Sequence, residues 1–323
     1  MPKVSIIIPV YGVEKYIERC AISLFEQTLD NIEFIFIDDC TLDNSIRILR
    51  NVAEKYRFRF EEKNHVLRID KMLTNSGQAA VRKHGLQLAT GSYIIHCDSD
   101  DWVDSDMYRI MYEKAVEEDS DVVICDFNNT DGVTFSQSVK GCYSDNKSVF
   151  FYDMLYHRTS WAVWNKLVKK KIYDSIDYYP KFAMGEDMVL TTQIILNSNK
   201  ISYVGESLYN YYYNPTSIMN TQTEKQCMNK YLQLKCNTEL LLPFLNCKLD
   251  KICYRKIERV LSYNATITLF PYIHKREFFI LWKQEMLPCY RILFDRKVKL
   301  IFKIMYLLIA CRIYPLYKSL KYV

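Results

Sequence analysis

Glycine and proline are scarce in this 323-residue chain, at 8 residues each, so low-complexity linkers are not expected. No fixed-period repeat is visible, and the longest uncharged apolar stretch of the basic C-terminal end, Ile304–Cys311, is too short to span a bilayer. The turn after the first apolar run reads Pro9-Val10-Tyr11-Gly12-Val13-Glu14, with a single glycine. That argues against a dinucleotide-binding oxidoreductase, whose G-x-G-x-x-G turn lets the backbone approach a pyrophosphate. No G-x-x-x-x-G-K-[S/T] segment occurs, so a P-loop is excluded as well. The five histidines, His65, His84, His96, His157 and His274, are dispersed without H-x-x-x-H or H-E-x-x-H spacing, and give no support to histidine catalysis. Cysteine is plentiful, at 11 residues, but it lacks any C-x-x-C pair and the count is odd. Several lie inside apolar runs, Cys97 and Cys125 among them, and read as reduced, buried, small hydrophobes rather than zinc ligands. The segment after Met1-Pro2-Lys3 has no signal-peptide pattern, and with the thiols this gives a cytoplasmic expectation.

Acid is scarce at one end of the chain. Residues 271–323 hold 11 Lys/Arg against 3 Asp/Glu, a net of +8, whereas the rest holds 32 against 35. The tail, not the body, therefore reads as the part with an anionic partner. Residues 296–323 carry seven Lys/Arg and no acid, and Phe302, Met305, Tyr306, Leu308 and Ile309 would suit a basic helix lying on an anionic membrane. Packing on the catalytic domain or oligomerisation are the competing readings of that segment.

The remainder is a regular alternation. Val4–Val10, Ile32–Ile37, Tyr93–Cys97 and Val122–Cys125 are apolar runs of strand length, with Val66–Leu73 a weaker candidate. Between them, 14–27, 41–53, 77–89 and 104–118 carry apolar residues at helical spacing. Strands alternating with helices predict right-handed crossovers and a mainly parallel sheet. Past residue 222 the alternation stops, and 225–265 reads as helical with a break at Pro243. The predicted division is a catalytic α/β domain over 1–221 and a helical region over 222–323.

Two of the strands end in acid: Ile32–Ile37 in Asp38-Asp39, and Tyr93–Cys97 in Asp98, Asp100 and Asp101. In a parallel sheet both sets emerge at the same edge, where ligands of open α/β sheets bind. Carboxylates this close repel one another unless a cation sits among them, and Mg²⁺ or Mn²⁺ takes oxygen ligands together with substrate phosphates. Asp98 and Asp100 are the candidate metal ligands, while Asp104 and Asp106 read as helix-initiating acids. Glu186-Asp187, after Gly185, opens another apolar helical stretch.

These segments, in this order, resemble the family 2 glycosyltransferases of GT-A fold. VSIIIPVY (4–11), FIFIDDCTLD (34–43), Asn75-Ser76-Gly77 with Ala79, Ala80 and Arg82, GSYIIHCDSDDW (91–102), Trp164-Asn165-Lys166-Leu167 and Gly185-Glu186-Asp187 carry the likeness. The family's "A-R-N" here reads Val81-Arg82-Lys83, which puts any contact from position 83 in doubt. The resemblance implies an α/β, Rossmann-like catalytic domain with a helical C-terminal extension. It implies a nucleotide-sugar pocket from Pro9, Val10, Tyr11, Glu14, Asp38, Asp39, Asn75, Gly77, Arg82, Asp98 and Ser99, with Tyr11 stacking on the base and Asp39 accepting a uracil N–H. Asp100, with Asp98, would hold Mn²⁺ or Mg²⁺, and Asp101 would cap the next helix. Asp187 would be the general base, Glu186 its neighbour orienting the acceptor, and Trp164, Asn165 and Lys166 would face the acceptor. The implied activity is inverting transfer from a nucleotide diphosphate donor, with a lean to UDP-sugar, to a saccharide or lipid-linked hydroxyl in surface-polysaccharide synthesis at the inner face of the membrane. A metal-dependent nucleotidyltransferase and a non-catalytic carbohydrate-binding scaffold are the alternatives. The first usually brings a glycine-rich triphosphate loop, which is missing.

Overall fold

The computed structural model describes residues 1–144, 146–213 and 223–313. Its first compact unit comprises 1–151 and 159–214, and its second comprises 152–158 and 215–323. The boundary expected at 221–222 lies outside the described residues. A short stretch, 152–158, joins the second unit, a division no local pattern marks.

In the first unit, β1 (Val4–Val10), α1 (Ile17–Phe25), β2 (Ile32–Asp38), α2 (Ser45–Lys55), α3 (Arg57–Lys63), β3 (Val66–Lys71), α4 (Gln78–Leu88), β4 (Tyr93–His96), β5 (Trp102–Val103), α5 (Met107–Glu117) and β6 (Val122–Thr130) follow in turn. Then come β7 (Ser136–Val139), α6 (Lys147–Leu155, ending in the second unit), β8 (Lys166–Lys169), α7 (Lys170–Tyr173), α8 (Glu186–Asn197) and β9 (Ile201–Tyr212). All seven residues of β2 are buried, as expected for a strand covered on both faces. The polar Glu33 within it is accommodated because Ser5, Thr90 and Arg68 all bond its carboxylate. Helix α1 turns Ile17, Cys20, Ala21, Leu24 and Phe25 inward, one apolar stripe at helical spacing. Helix α4 lies so close to the sheet that a Cβ on Gly85 would come within 2.4 Å of the Ile7 side chain.

The strands form one sheet in the order β3-β2-β1-β4-β8-β6-β9-β5, with β7 beside β6. Pairs β3–β2, β2–β1, β1–β4 and β6–β9 are parallel. Pairs β4–β8, β8–β6, β5–β9 and β6–β7 are antiparallel. The sheet is mainly parallel, as expected, its long ladders running parallel and only short antiparallel pairs making it mixed. The crossover rule held for the first four sheet neighbours, where helices connect strands. Short strands β5 and β8, embedded in loops, carry little periodic signal, and they introduce the reversals. The register sets Val10 opposite Asp38 and Ile7 opposite His96, so the residues following β1, β2 and β4 leave the sheet at one edge.

The second unit contains α9 (Glu224–Lys248), α10 (Lys251–Ile267), α11 (Arg276–Met286) and α12 (Leu300–Ala310), with 3₁₀ turns at Phe270–Tyr272 and Tyr290–Phe294. The break predicted at Pro243 is corrected: α9 runs through it. Proline there removes one hydrogen bond, but Leu241, Phe244 and Leu245 are buried on either side, and their packing keeps the helix continuous. The break comes at Leu249 instead, where Asp250 caps α10 by accepting the Ile252 and Cys253 amides at 2.9 and 3.0 Å. Helix α12 also departs from expectation. Met305, Tyr306 and Ile309 are buried within the unit, Tyr306 against Trp282 at 5.1 Å, so these residues do not form a free membrane face. Residues 314–323 of the basic tail lie outside the described residues.

Candidate active site

The loop from β1 to α1 is tied to the loop after β2. The amides of Gly12, Val13 and Glu14 donate to Thr41 Oγ1, Ser45 Oγ and Asp43 Oδ2 at 2.9, 3.1 and 2.9 Å. Glu14 returns a carboxylate oxygen to the Asn44 amide at 3.1 Å. Backbone N–H groups that elsewhere cradle phosphates are thus already engaged, and the Glu14 side chain serves the loop. Tyr11, 53% exposed, stands free at the rim, while Val10 is buried and Pro9 partly buried.

Asp38 and Asp39 are both buried. Asp38 accepts the Thr41 amide at 2.7 Å, with Lys71 3.6 Å away. Asp39 receives the Ser76 amide on Oδ1 at 2.7 Å and the Gly77 amide on Oδ2 at 2.9 Å, and Asn75 bonds its carbonyl at 3.2 Å. The approach requires Gly77 at φ +79°, a conformation open to glycine. The structure brings Asp39, Asn75 and Gly77 together, as the pocket requires. It also qualifies the expected role of Asp39, because a ring N–H would have to share an oxygen that already accepts a backbone bond.

Past β4 the balance reverses, with more carboxylates than donors. Arg82, expected near donor phosphates, is instead buried among acids. Its guanidinium lies 2.5 Å from Asp98 Oδ1, 3.0 Å from Glu186 Oε1 and 3.0 Å from Asp187 Oδ1. Burial alone would lower its pKa, but Glu186, Asp98 and Asp187 outweigh it and hold the charge firmly. One cation against three carboxylates leaves an excess of negative charge. Accordingly, burial pushes the Glu186 carboxyl up to about 7 against the pull of Arg82, and Asp187 is raised for the same reason. The two neighbours differ in access: the Glu186 side chain is 1% exposed and that of Asp187 33%.

Asp100 carries the other half of the cluster. Burial, then the nearby Asp98 charge, raises its carboxyl to about 6. Arg19 bonds the Asp100 carbonyl at 3.0 Å and stacks 3.7 Å above the Trp102 ring. Asp101 does not cap the following helix as expected. It accepts the Tyr209 hydroxyl at 2.6 Å and the Tyr212 amide at 2.7 Å, fastening β9 beside the acidic loop. Asp104 and Asp106 likewise work locally: Asp104 accepts the Asp106 amide, and Asp106 takes Thr28 and Arg109. Ser99 is buried within this loop.

The residues present fit a hard divalent cation. Among the described residues no other residue donates to the Asp100 carboxylate, and Arg82 and Gln78 both bond Asp98 through Oδ1. Among the described residues, no cluster of three His, Cys, Asp or Glu encloses a cation. One or two carboxylates, with substrate phosphates completing the shell, is how Mg²⁺ is commonly held.

Trp164, Asn165 and Lys166, expected toward the acceptor, are buried and engaged within the protein. Trp164 stacks on Tyr209 with centroids 4.2 Å apart, and Asn165 donates to the Cys125 carbonyl at 2.8 Å. The buried Lys166 ammonium donates to the Ser160 and Ala162 carbonyls and to Asn165 Oδ1, and desolvation lowers its pKa to about 7. Trp164 thus backs β9, while Asn165 and Lys166 tie the chain before β8 to β6 and to its own carbonyls. Sequence reasoning missed Arg19 and Gln78, since a polar residue on an amphipathic helix carries no mark of which loop it meets.

The family model for Glycosyl transferase family 2 matches residues 5–185, more than half of the chain. The chain belongs to glycosyl transferase family 2. The family match ends directly before Glu186 and Asp187. Glycosyltransferase GlyA of Streptococcus pneumoniae is 31% identical over 237 residues, which cover 69% of this chain and 32% of GlyA. The putative glycosyltransferase EpsH of Bacillus subtilis is 30% identical over 233 residues, 69% of this chain and 64% of EpsH. The aligned region thus spans about a third of one relative and just under two thirds of the other. The crystal structure of S. aureus TarS 1-349 in complex with UDP-GlcNAc superposes with a TM-score of 0.70 at 20% identity, covering 98% of this chain and 90% of that one. The fold is GT-A-like, as the resemblance implied, and the likeness includes the C-terminal helices.

Proposed function

We propose that this family 2 member is an inverting, metal-dependent glycosyltransferase. It moves a sugar from a nucleoside diphosphate donor, taken here as a UDP-sugar, to a hydroxyl of a saccharide or lipid-linked acceptor in surface-polysaccharide synthesis at the cytoplasmic face of a membrane. The observation that carries the reading is the guanidinium of Arg82, within hydrogen-bond distance of both Asp98 and Asp187. The acidic loop after β4 and the first turn of α8 therefore belong to one site, although 89 positions separate Asp98 from Asp187. The binding of UDP-GlcNAc by a protein of the same fold supports the donor class.

In this reading Asp187 takes the proton of the acceptor hydroxyl, because it is the exposed member of its pair. Attack from the face opposite the leaving diphosphate inverts the anomeric centre. Glu186 and Asp98 keep Arg82 in place, and Arg82 holds Asp187 in one orientation. Asp100, with Asp98, would hold the divalent cation, which supplies charge neutralisation for the departing diphosphate. Tyr11 offers an exposed ring on which a base can stack, and Asp39 fixes the Asn75–Gly77 segment.

Two variants test the assignment. Asp187→Asn leaves calorimetric donor binding intact and lowers the transfer rate by at least ~100-fold. Asp100→Ala weakens donor binding in the presence of Mn²⁺ and leaves the weak binding in EDTA unchanged. Wild-type transfer by Asp187→Asn removes the base assignment. Uridylyl transfer by the wild-type chain, without sugar transfer, would favour the nucleotidyltransferase instead.

A further inference from the structure

The second unit carries a groove of about 760 Å³ in which positive charge and apolar surface alternate. Lys256 and Arg259 of α10 line it, together with Arg291, Arg296 and Lys297 from the segment between α11 and α12. Asp295 is the single acid of the lining, and it is already engaged by the Tyr156 hydroxyl and by Lys256 at 3.4 Å. Among the described residues, Arg291 and Arg296 form no ion pair. Between the cations stand large apolar side chains held out to solvent. Ile252 is 81% exposed, Phe294 77% and Tyr290 49%.

Each half of this pattern limits the partner. Unneutralised cations on one face call for an anion. Phe294 and Ile252 gain nothing from a soluble polyanion, and are left in water unless the partner also offers an apolar phase. Basic residues interleaved with exposed aromatic and aliphatic side chains match the boundary between lipid headgroups and acyl chains. We infer that this α10 and Tyr290–Lys297 face is the part of the chain that rests on an anionic membrane surface. It replaces the apolar side of α12, whose Met305, Tyr306 and Ile309 are buried within the unit. The inference deepens the proposed membrane-face role, but its test needs neither donor nor acceptor.

The experiment is flotation of the full chain with vesicles of phosphatidylcholine alone or mixed with phosphatidylglycerol. The chain floats with the anionic vesicles at low salt, is released as salt rises, and stays behind with neutral vesicles. Arg291→Glu with Arg296→Glu lowers partitioning by at least ~30-fold. Phe294→Ser, which alters no charge, lowers it by ~10-fold. Circular dichroism melts check folding, and should the double variant fail to fold, Phe294→Ser carries the test. Absence of binding at low salt overturns the proposal, and so does equal binding to neutral vesicles. Wild-type flotation by both variants also overturns it. If Phe294→Ser binds normally and soluble polyphosphate displaces the chain fully, the partner is an anionic polymer and not a membrane. Sugar transfer to a soluble acceptor is measured separately. If transfer is lacking while vesicles still bind, only the catalytic reading falls.

Discussion

The strands β2 and β4 leave the same edge of one sheet, and both end in aspartates, yet the two ends are built on opposite electrostatics. After β2, the carboxylates of Asp38 and Asp39 accept backbone amides of Thr41, Ser76 and Gly77 and shape a fixed rim. After β4, Asp98 joins Glu186 and Asp187 around one buried guanidinium, Asp100 and Asp101 follow in the same loop, and several of these acids are held above their usual range. The first arrangement is complete as it stands. The second keeps an unbalanced charge that a cation or a proton can offset. The difference teaches that an acidic strand end is a site only where the protein leaves its charge unanswered; where backbone donors answer it, the same residue is scaffold.

Removing the cation at the centre of the β4 end breaks the comparison most directly. Arg82→Met leaves three carboxylates without their cation, two of them adjacent and largely buried, and costs about 3–5 kcal/mol in urea unfolding. Should the melting curve be unchanged, the three ion pairs are not what holds this cluster. A matched pair sharpens the contrast. Asp39→Asn turns an amide donor toward a backbone N–H and costs about 1–3 kcal/mol. Asp101→Asn costs about 1 kcal/mol or less, because burial already disfavours the charged form there. Equal costs would show that the two ends do not differ. The smallest effect is one of slope. Glu186 binds its proton more tightly folded, at about 7, than the ordinary glutamate at 4.5. The folded state therefore holds more protons between these values, so stability falls as pH rises from about 4.5 to 7. Glu186→Gln flattens that part of the stability curve, and an unchanged slope places the proton on another group.

Much of this was legible along the chain. The seven-residue run Val4–Val10 could only be a buried strand, because its β-branched apolar residues find neither water nor helical spacing a suitable setting. The aspartates closing two such runs marked the edge where a ligand would sit. What the chain hid were contacts made at a distance. The resemblance sends Arg82 toward the donor, and nothing local tells such an arginine from one facing three acids. Trp164, Asn165 and Lys166 look like polar and aromatic residues ready for a ligand, but the fold buries them, Trp164 against Tyr209 of β9 and Asn165 and Lys166 on backbone carbonyls. Short strands such as β5, of two residues, have no period to detect, and these are what make the sheet mixed.

The sequence by itself determined the alternating strands and helices of the first unit, the acidic strand ends and the positive excess near the C-terminus, because hydrophobic period and charge are local properties. Only the tertiary structure decided which acids meet, which are satisfied and which cations stay in water. Pairing and desolvation depend on atoms brought together from far apart in the chain, and no local pattern encodes that distance.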